Sequence, residues 1–129
     1  MKNIKLPLLL LFVLALTVVG CRSNPVYNVE GSPITIKGKH TNKDVEKSII
    51  RAGAGLGWVV KPVRVGHLIG TLHLREHVAV VDITYNDKVY NIKYKSSQNL
   101  NYDGTNIHSN YNGWVQNLDR AIQTQFLTF

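Results

Sequence analysis

Between Trp58 and Lys95 apolar and polar residues alternate with a period of two, and on either side of that block apolar residues recur with the helical period. Alternation predicts a β-meander with one buried face. Leu68, Gly70, Leu72 and Leu74 share one side of a strand whose other side carries His67, Ile69, Thr71, His73 and Arg75. In the next strand His77, Ala79, Val81, Ile83 and Tyr85 alternate with Val78, Val80, Asp82 and Thr84. In the last, Tyr90, Ile92 and Tyr94 alternate with Val89, Asn91, Lys93 and Lys95. Two-residue turns at Arg75-Glu76 and Asp87-Lys88 set Leu74 opposite His77, Tyr85 opposite Tyr90, Ile83 opposite Ile92, Val81 opposite Tyr94, and Asp82 opposite Lys93 as a cross-strand ion pair. A slip of one residue would turn the whole apolar set outward, so the agreement of two turns supports one register. Trp58–Val65 is the least regular of these strands.

Upstream, Ser32–Lys37 alternates about Ile34 and Ile36 and predicts a short strand, with Pro33 at its start or on an edge. Thr41-Asn42-Lys43-Asp44 forms a capping box with Asp in the usual Glu position. Val45, Ile49, Ala52 and Leu56 follow at helical spacing, widened by Ile50. Gly53, Gly55 and Gly57 then predict the helix stop. A phosphate-cradling glycine loop opens a helix, whereas this one closes it. Downstream, Ile107, Tyr111, Trp114, Val115, Leu118, Ala121, Ile122 and Phe126 predict a long amphipathic helix with Asn110, Gln116, Asn117, Arg120 and Gln123 on its polar side. The order is β-α-β-β-β-β-α. Two helices with one apolar stripe each and one sheet with one apolar face predict an α+β fold, a two-layer sandwich with both helices on one face of an antiparallel meander.

The first residues obey neither period. Met1-Lys2-Asn3-Ile4-Lys5 precedes a run from Leu6 to Val19 broken only by Pro7 and Thr17. That run is shorter than the roughly 20 residues a spanning helix needs, and two lysines, an apolar run and a small residue are the zones of a secretory signal peptide. Val18-Val19-Gly20-Cys21 resembles the lipobox of bacterial lipoproteins, where the cysteine is lipidated and becomes the new N-terminus. The resemblance implies a signal peptide over 1–20, a diacylglyceryl group on Cys21, and N-acylation by a fatty acid such as palmitate. Two or three acyl chains hold a protein stably on a membrane, at about 0.8 kcal/mol per buried CH₂. Position 22 is Arg and not the Asp that retains such lipoproteins at the inner membrane, which implies the periplasmic face of the outer membrane.

These readings divide the chain into a signal peptide (1–20), a lipidated Cys21 with a tether (21–31) and one α+β domain (32–129). Of 15 lysines and arginines, Lys2 and Lys5 belong to the leader, and the remainder keeps a net charge of +5 against 8 carboxylates. A basic domain beside a membrane favours anionic headgroups, an acidic glycan or an acidic envelope protein. The compartment excludes nucleic acid. With Cys21 lipidated, no second cysteine remains for a disulfide.

Catalytic and metal chemistry finds little support. His67 and His73 share a face but lie six residues apart, about 20 Å at 3.3 Å per residue. His77 falls on the opposite face and His40 in a loop, and no HxH, HExxH or GxSxG occurs. The expectation is no metal, no cofactor and no catalytic residue. One alternative, a small envelope hydrolase or metal-dependent enzyme, requires His77, His108 and Asp103 to converge. Asp103 sits in the turn-forming string Lys95–Gly104 that joins the last strand to the last helix. Tyr85, Tyr90, Tyr94 and Trp114 fall on the helix-facing side and read as core, with hydroxyls at its margin. On the helix-free side Ile69, Val78 and Val80 form an apolar group beside Lys93 and Lys95. That group predicts a partner-binding face, and the function expected is a membrane-anchored binding or accessory module of the cell envelope, not an enzyme.

Overall fold

The computed structural model describes residues 22–129, so the proposed signal peptide and Cys21 lie outside the described residues. Seven strands and two helices follow in the order β1 (Ser23–Pro25), β2 (Val29–Pro33), α1 (Asn42–Ala54), β3 (Trp58–Arg64), β4 (His67–Leu74), β5 (His77–Tyr85), β6 (Val89–Gln98), β7 (Asn106–His108) and α2 (Ser109–Phe126). An antiparallel sheet runs β2-β6-β5-β4-β3, and β1 pairs separately with β7. The fold is α+β with an open sheet.

Register follows the alternation. Leu74 pairs with His77, Val81 with Tyr94, Asp82 with Lys93, Ile83 with Ile92 and Tyr85 with Tyr90. Asn86 closes the β5–β6 turn, its Oδ1 accepting from the N–H of Lys88 and of Val89, each at 2.8 Å. Leu68, Ala79, Val81, Ile83, Tyr90 and Ile92 are buried on one face of the sheet. They form a single core with Val45, Ile49 and Ala52 of α1 and Tyr111, Val115, Leu118, Ile122 and Phe126 of α2. Both helices therefore cover the same face, and the other face has no helix over it.

Local chemistry fixes the helices. Thr41 Oγ1 accepts from the Asp44 N–H at 3.2 Å while Asp44 Oδ2 accepts from the Thr41 N–H at 2.8 Å, the reciprocal box that satisfies two orphan donors. The Thr41 N–H foremost, with the Thr41 side chain, holds the Asp44 carboxyl below its ordinary range. At the far end of α1 Gly53 faces β3 at close range, and a Cβ there would lie 2.5 Å from Val60 Cγ2. The last helix is capped by His108, whose Nδ1 accepts from the Asn110 N–H at 3.1 Å.

The molecule has two distinct ends. At one, Tyr90 meets Phe126 edge to face at 5.6 Å, the Tyr85 N–H donates to the Gly66 carbonyl at 3.0 Å, and the start of α1 borders a shallow hollow shared with Asp87. At the other lie the β4–β5 turn, the end of α1, and the start of α2, where Trp114 lies 6.1 Å from the His77 ring.

Several expectations need correction. The first strand of the main sheet is Val29–Pro33 and not Ser32–Lys37; Ile36 is buried, but in a loop. Pro33 ends an edge strand, where its missing N–H costs no ladder bond. The stretch 21–31 expected as a tether contributes β1, and Val29 is core. Nothing in the alternation marks β1, because its three residues are all exposed. Leu56 falls beyond the end of α1 and is 43% exposed. Ile107 is buried from β7, and α2 starts only at Ser109.

Both outer strands of the main sheet are irregular. Pairing of β2 shifts register between Val29 and Ser32, and pairing of β3 shifts between Pro62 and Arg64. A third shift lies inside the sheet. Val81 opposes Tyr94 but Val80 opposes Ser96, so Lys95 is an extra residue in β6.

Candidate functional site: the helix-free sheet face

The face left bare by the helices is built from the alternate residues of β3 to β6. Ile69 pairs with Asp82 on one side and Lys61 on the other, Thr71 with Val80 and Val59, and His73 with Val78. Ile69, Val78 and Val80 are half-buried, shielded only by neighbours on their own face, while Val59, Lys61, Lys93 and Lys95 are exposed. At its β3 border the face dips into a hollow of about 270 Å³ lined by Val59, Lys61, Pro62, Val63, Ile69 and Thr71. The five residues expected to form a binding face thus share one surface, which β3 extends with Val59, Val63 and Lys61.

Its electrostatics depart from expectation. Asp82 opposes Lys93 in register, yet its carboxylate turns elsewhere. Oδ1 lies 2.7 Å from His67 Nε2, and Oδ2 lies 3.8 Å from Lys95 Nζ. Lys93 reaches the other way, to Glu30 at 3.9 Å. Lys95 stands two residues along β6 from Lys93, on the same face, and reaches Asp82 on the diagonal. Ionised Asp82 can only accept, so His67 donates from Nε2; its Nδ1 is buried without a partner. Long, exposed lysine pairs such as these contribute at most about 1 kcal/mol each. Both ammonium groups therefore stay free to exchange partners.

The three side chains of the enzymatic alternative have separate local tasks. His77 Nδ1 bonds the Asn99 carbonyl at 2.7 Å and its ring faces Trp114. His108 caps α2. Asp103 Oδ1 accepts from the Asn106 N–H at 2.7 Å and the Thr105 N–H at 2.9 Å, which hold its carboxyl below the ordinary range and close the turn into β7. Among the described residues no group of three His, Cys, Asp or Glu side chains is placed to hold a metal ion.

Tyr85, Tyr90 and Tyr111 are core, and Tyr94 packs against it. Tyr94 stacks on Tyr102 at 4.1 Å and meets Tyr111 edge to face at 5.7 Å. Their hydroxyls do not all reach the margin of the layer. Tyr90 donates to Asp119 and Tyr94 bonds Ser97, but the hydroxyls of Tyr85 and Tyr111 are buried without a partner. Burial pushes the Tyr111 hydroxyl pKa far up, and burial with the Asp119 bond pushes Tyr90 to about 12.

Sequence reasoning missed β3's share of the face and Lys95's bond. The alternation of Val59, Lys61 and Val63 was available as a signal, but Pro62 interrupts it. The bulge leaves no mark in the pattern, because Lys95, Ser96 and Gln98 are all polar. No helix among the described residues is long and apolar enough to cross a membrane. No protein-family model, no curated protein and no solved structure matches the chain.

Proposed function

We propose that this protein is a lipid-anchored binding module of the bacterial cell envelope, without catalytic activity, held by Cys21 at the periplasmic face of the outer membrane. The observation that carries the reading is the sheet face itself. Ile69, Val78 and Val80 share a face that no helix covers, together with Lys61, Lys93 and Lys95. An apolar centre with a cationic rim fits an envelope protein bearing an acidic rim of its own. Anchoring confines both partners to one surface and raises their effective concentration, so modest affinity suffices.

Crosslinking in living cells tests it, with a photoreactive residue at position 80 and a control at Gln116 on the polar side of α2. A specific adduct at 80 and none at 116 supports the reading and identifies the partner by mass. Adducts at neither position, in correctly lipidated protein, overturn it.

A further inference from the structure

The first described residue of the chain is fastened to the fold. Ser23 pairs with His108 in the β1·β7 ladder, and the Arg22 carbonyl accepts from the Ser109 N–H at 2.8 Å, where α2 begins. Asn112 of α2 reinforces the clasp. Its side chain donates to the Pro25 carbonyl and accepts from the Tyr27 N–H, both at 2.9 Å. Only Arg22 separates Cys21 from β1, so an anchor at Cys21 has no slack, and the position of Arg22 decides which end of the molecule meets the bilayer.

Arg22 lies at the end that carries the start of α2. From there contacts lead across the same end: the His108 N–H to the Leu100 carbonyl, the Asn99 carbonyl to His77, and the Asn99 amide to the Glu76 carbonyl in the β4–β5 turn. The end of α1 joins this surface beside the start of β3. Exposed there are Leu74 and Leu56, 42% and 43% accessible, with Arg51 in the last turn of α1 and Arg75 at the tip of the turn. We propose that this end, with Arg22, Arg51, Arg75, Leu56 and Leu74, lies directly against an anionic lipid surface. The inference rests on the lipid anchor proposed above. Cations within a Debye length of anionic headgroups bind favourably, and two leucines at the rim suit the headgroup boundary.

More apolar surface is exposed at the opposite end, at Val65, Leu127 and Phe129. A domain on a long leash could turn that end to the membrane. One clasped at Ser23 cannot. With the clasped end down, the strands stand on the membrane and their helix-free face is open sideways.

Two labelled cysteine variants of the full lipidated chain, Glu76→Cys and Asp87→Cys, test the orientation. The two positions flank β5 at opposite ends, and that strand alone spans about 27 Å at 3.4 Å per residue. Each variant is fluorescently labelled and reconstituted in vesicles of phosphatidylethanolamine and phosphatidylglycerol that carry a headgroup nitroxide quencher. The expected result is strong quenching at 76 and background quenching at 87, with the signal at 76 reduced by Arg51→Glu and Arg75→Glu together. Equal quenching at both sites, or more at 87, in chains whose mass shows acylated Cys21, overturns the orientation and leaves the anchor intact. An unmodified Cys21 and failure to float with vesicles would overturn anchor and orientation alike.

Discussion

Replacing Gly53 by Ala separates helix propensity from packing, because Gly113 offers the same exchange in a different setting. Alanine is favoured over glycine inside a helix by at most about 1 kcal/mol. At Gly113, within α2, an added Cβ meets nothing within 4 Å, so that gain should stand. At Gly53 the new methyl would lie 2.5 Å from Val60 Cγ2 and 3.2 Å from Trp58 Cβ, both in the core. Overpacking of this kind costs about 1–3 kcal/mol, which exceeds the propensity gain. Gly113→Ala should therefore stabilise by about 1 kcal/mol, and Gly53→Ala should destabilise by roughly the same amount. Urea unfolding of both variants measures the difference. Val60→Ala provides the internal control. Alone it removes two buried methyl groups, about 1.6 kcal/mol at the usual cost per carbon. In the Gly53→Ala background it relieves the clash and should cost far less, a coupling of about 1–2 kcal/mol between neighbours. Equal stabilisation by the two alanines, or additive losses in the double variant, would refute the close approach of α1 to β3. That approach also sets the place of Arg51 and Leu56 at the end proposed to face the membrane.

Thr41→Ala removes half of the capping box and should cost about 1 kcal/mol, read as a lower urea midpoint. Asp44 and Asp103 have carboxyl pKa values lowered by backbone N–H groups, so their contribution is present above the ordinary carboxylate pKa. It should fade as pH falls through their lowered values, and Asp103→Asn should flatten that acid limb in a pH series of unfolding midpoints. Tyr90 titrates in the opposite sense, because its folded pKa of about 12 exceeds the ordinary 10.0. Stability should be intact below pH 10 and fall between 10 and 12, with Tyr90→Phe showing the smaller fall. Lys93→Glu with Lys95→Glu should reduce crosslinking at position 80 on the order of tenfold while leaving the unfolding midpoint nearly unchanged.

The strands of the meander were legible because each has a buried face, and a period of two then excludes every slip by one residue. The two-residue turn at Asp87-Lys88 chooses among the rest and sets Tyr85, Ile83 and Val81 against Tyr90, Ile92 and Tyr94. The capping box at Thr41 was equally plain, since its chemistry is local. Features held by backbone pairing or by side chains distant in sequence left no such trace. β1 is exposed throughout and joins β7 across more than 80 residues, so no periodicity reports it. The extra residue at Lys95 falls in a polar stretch, where slippage costs no apolar burial, so the pattern does not report it. Ile69, Val78 and Val80 were correctly placed on the bare face because an alternation defines both of its sides. His77, His108 and Asp103 were linked only by residue type, and backbone groups in three different places take them up.

The two irregular borders of the sheet govern how copies of this protein can coexist. Each outer strand carries a proline and a break in register, Pro33 with the shift in β2 and Pro62 with that in β3. Neither presents the straight row of free amides and carbonyls onto which another strand could zip. Under the proposed anchoring, molecules confined to two dimensions would collide far more often than in bulk, and an open ribbon edge would seed fibrous growth. Blunted edges close that route for the main sheet. What touches those two borders does so through side chains, in contacts that can be made and released.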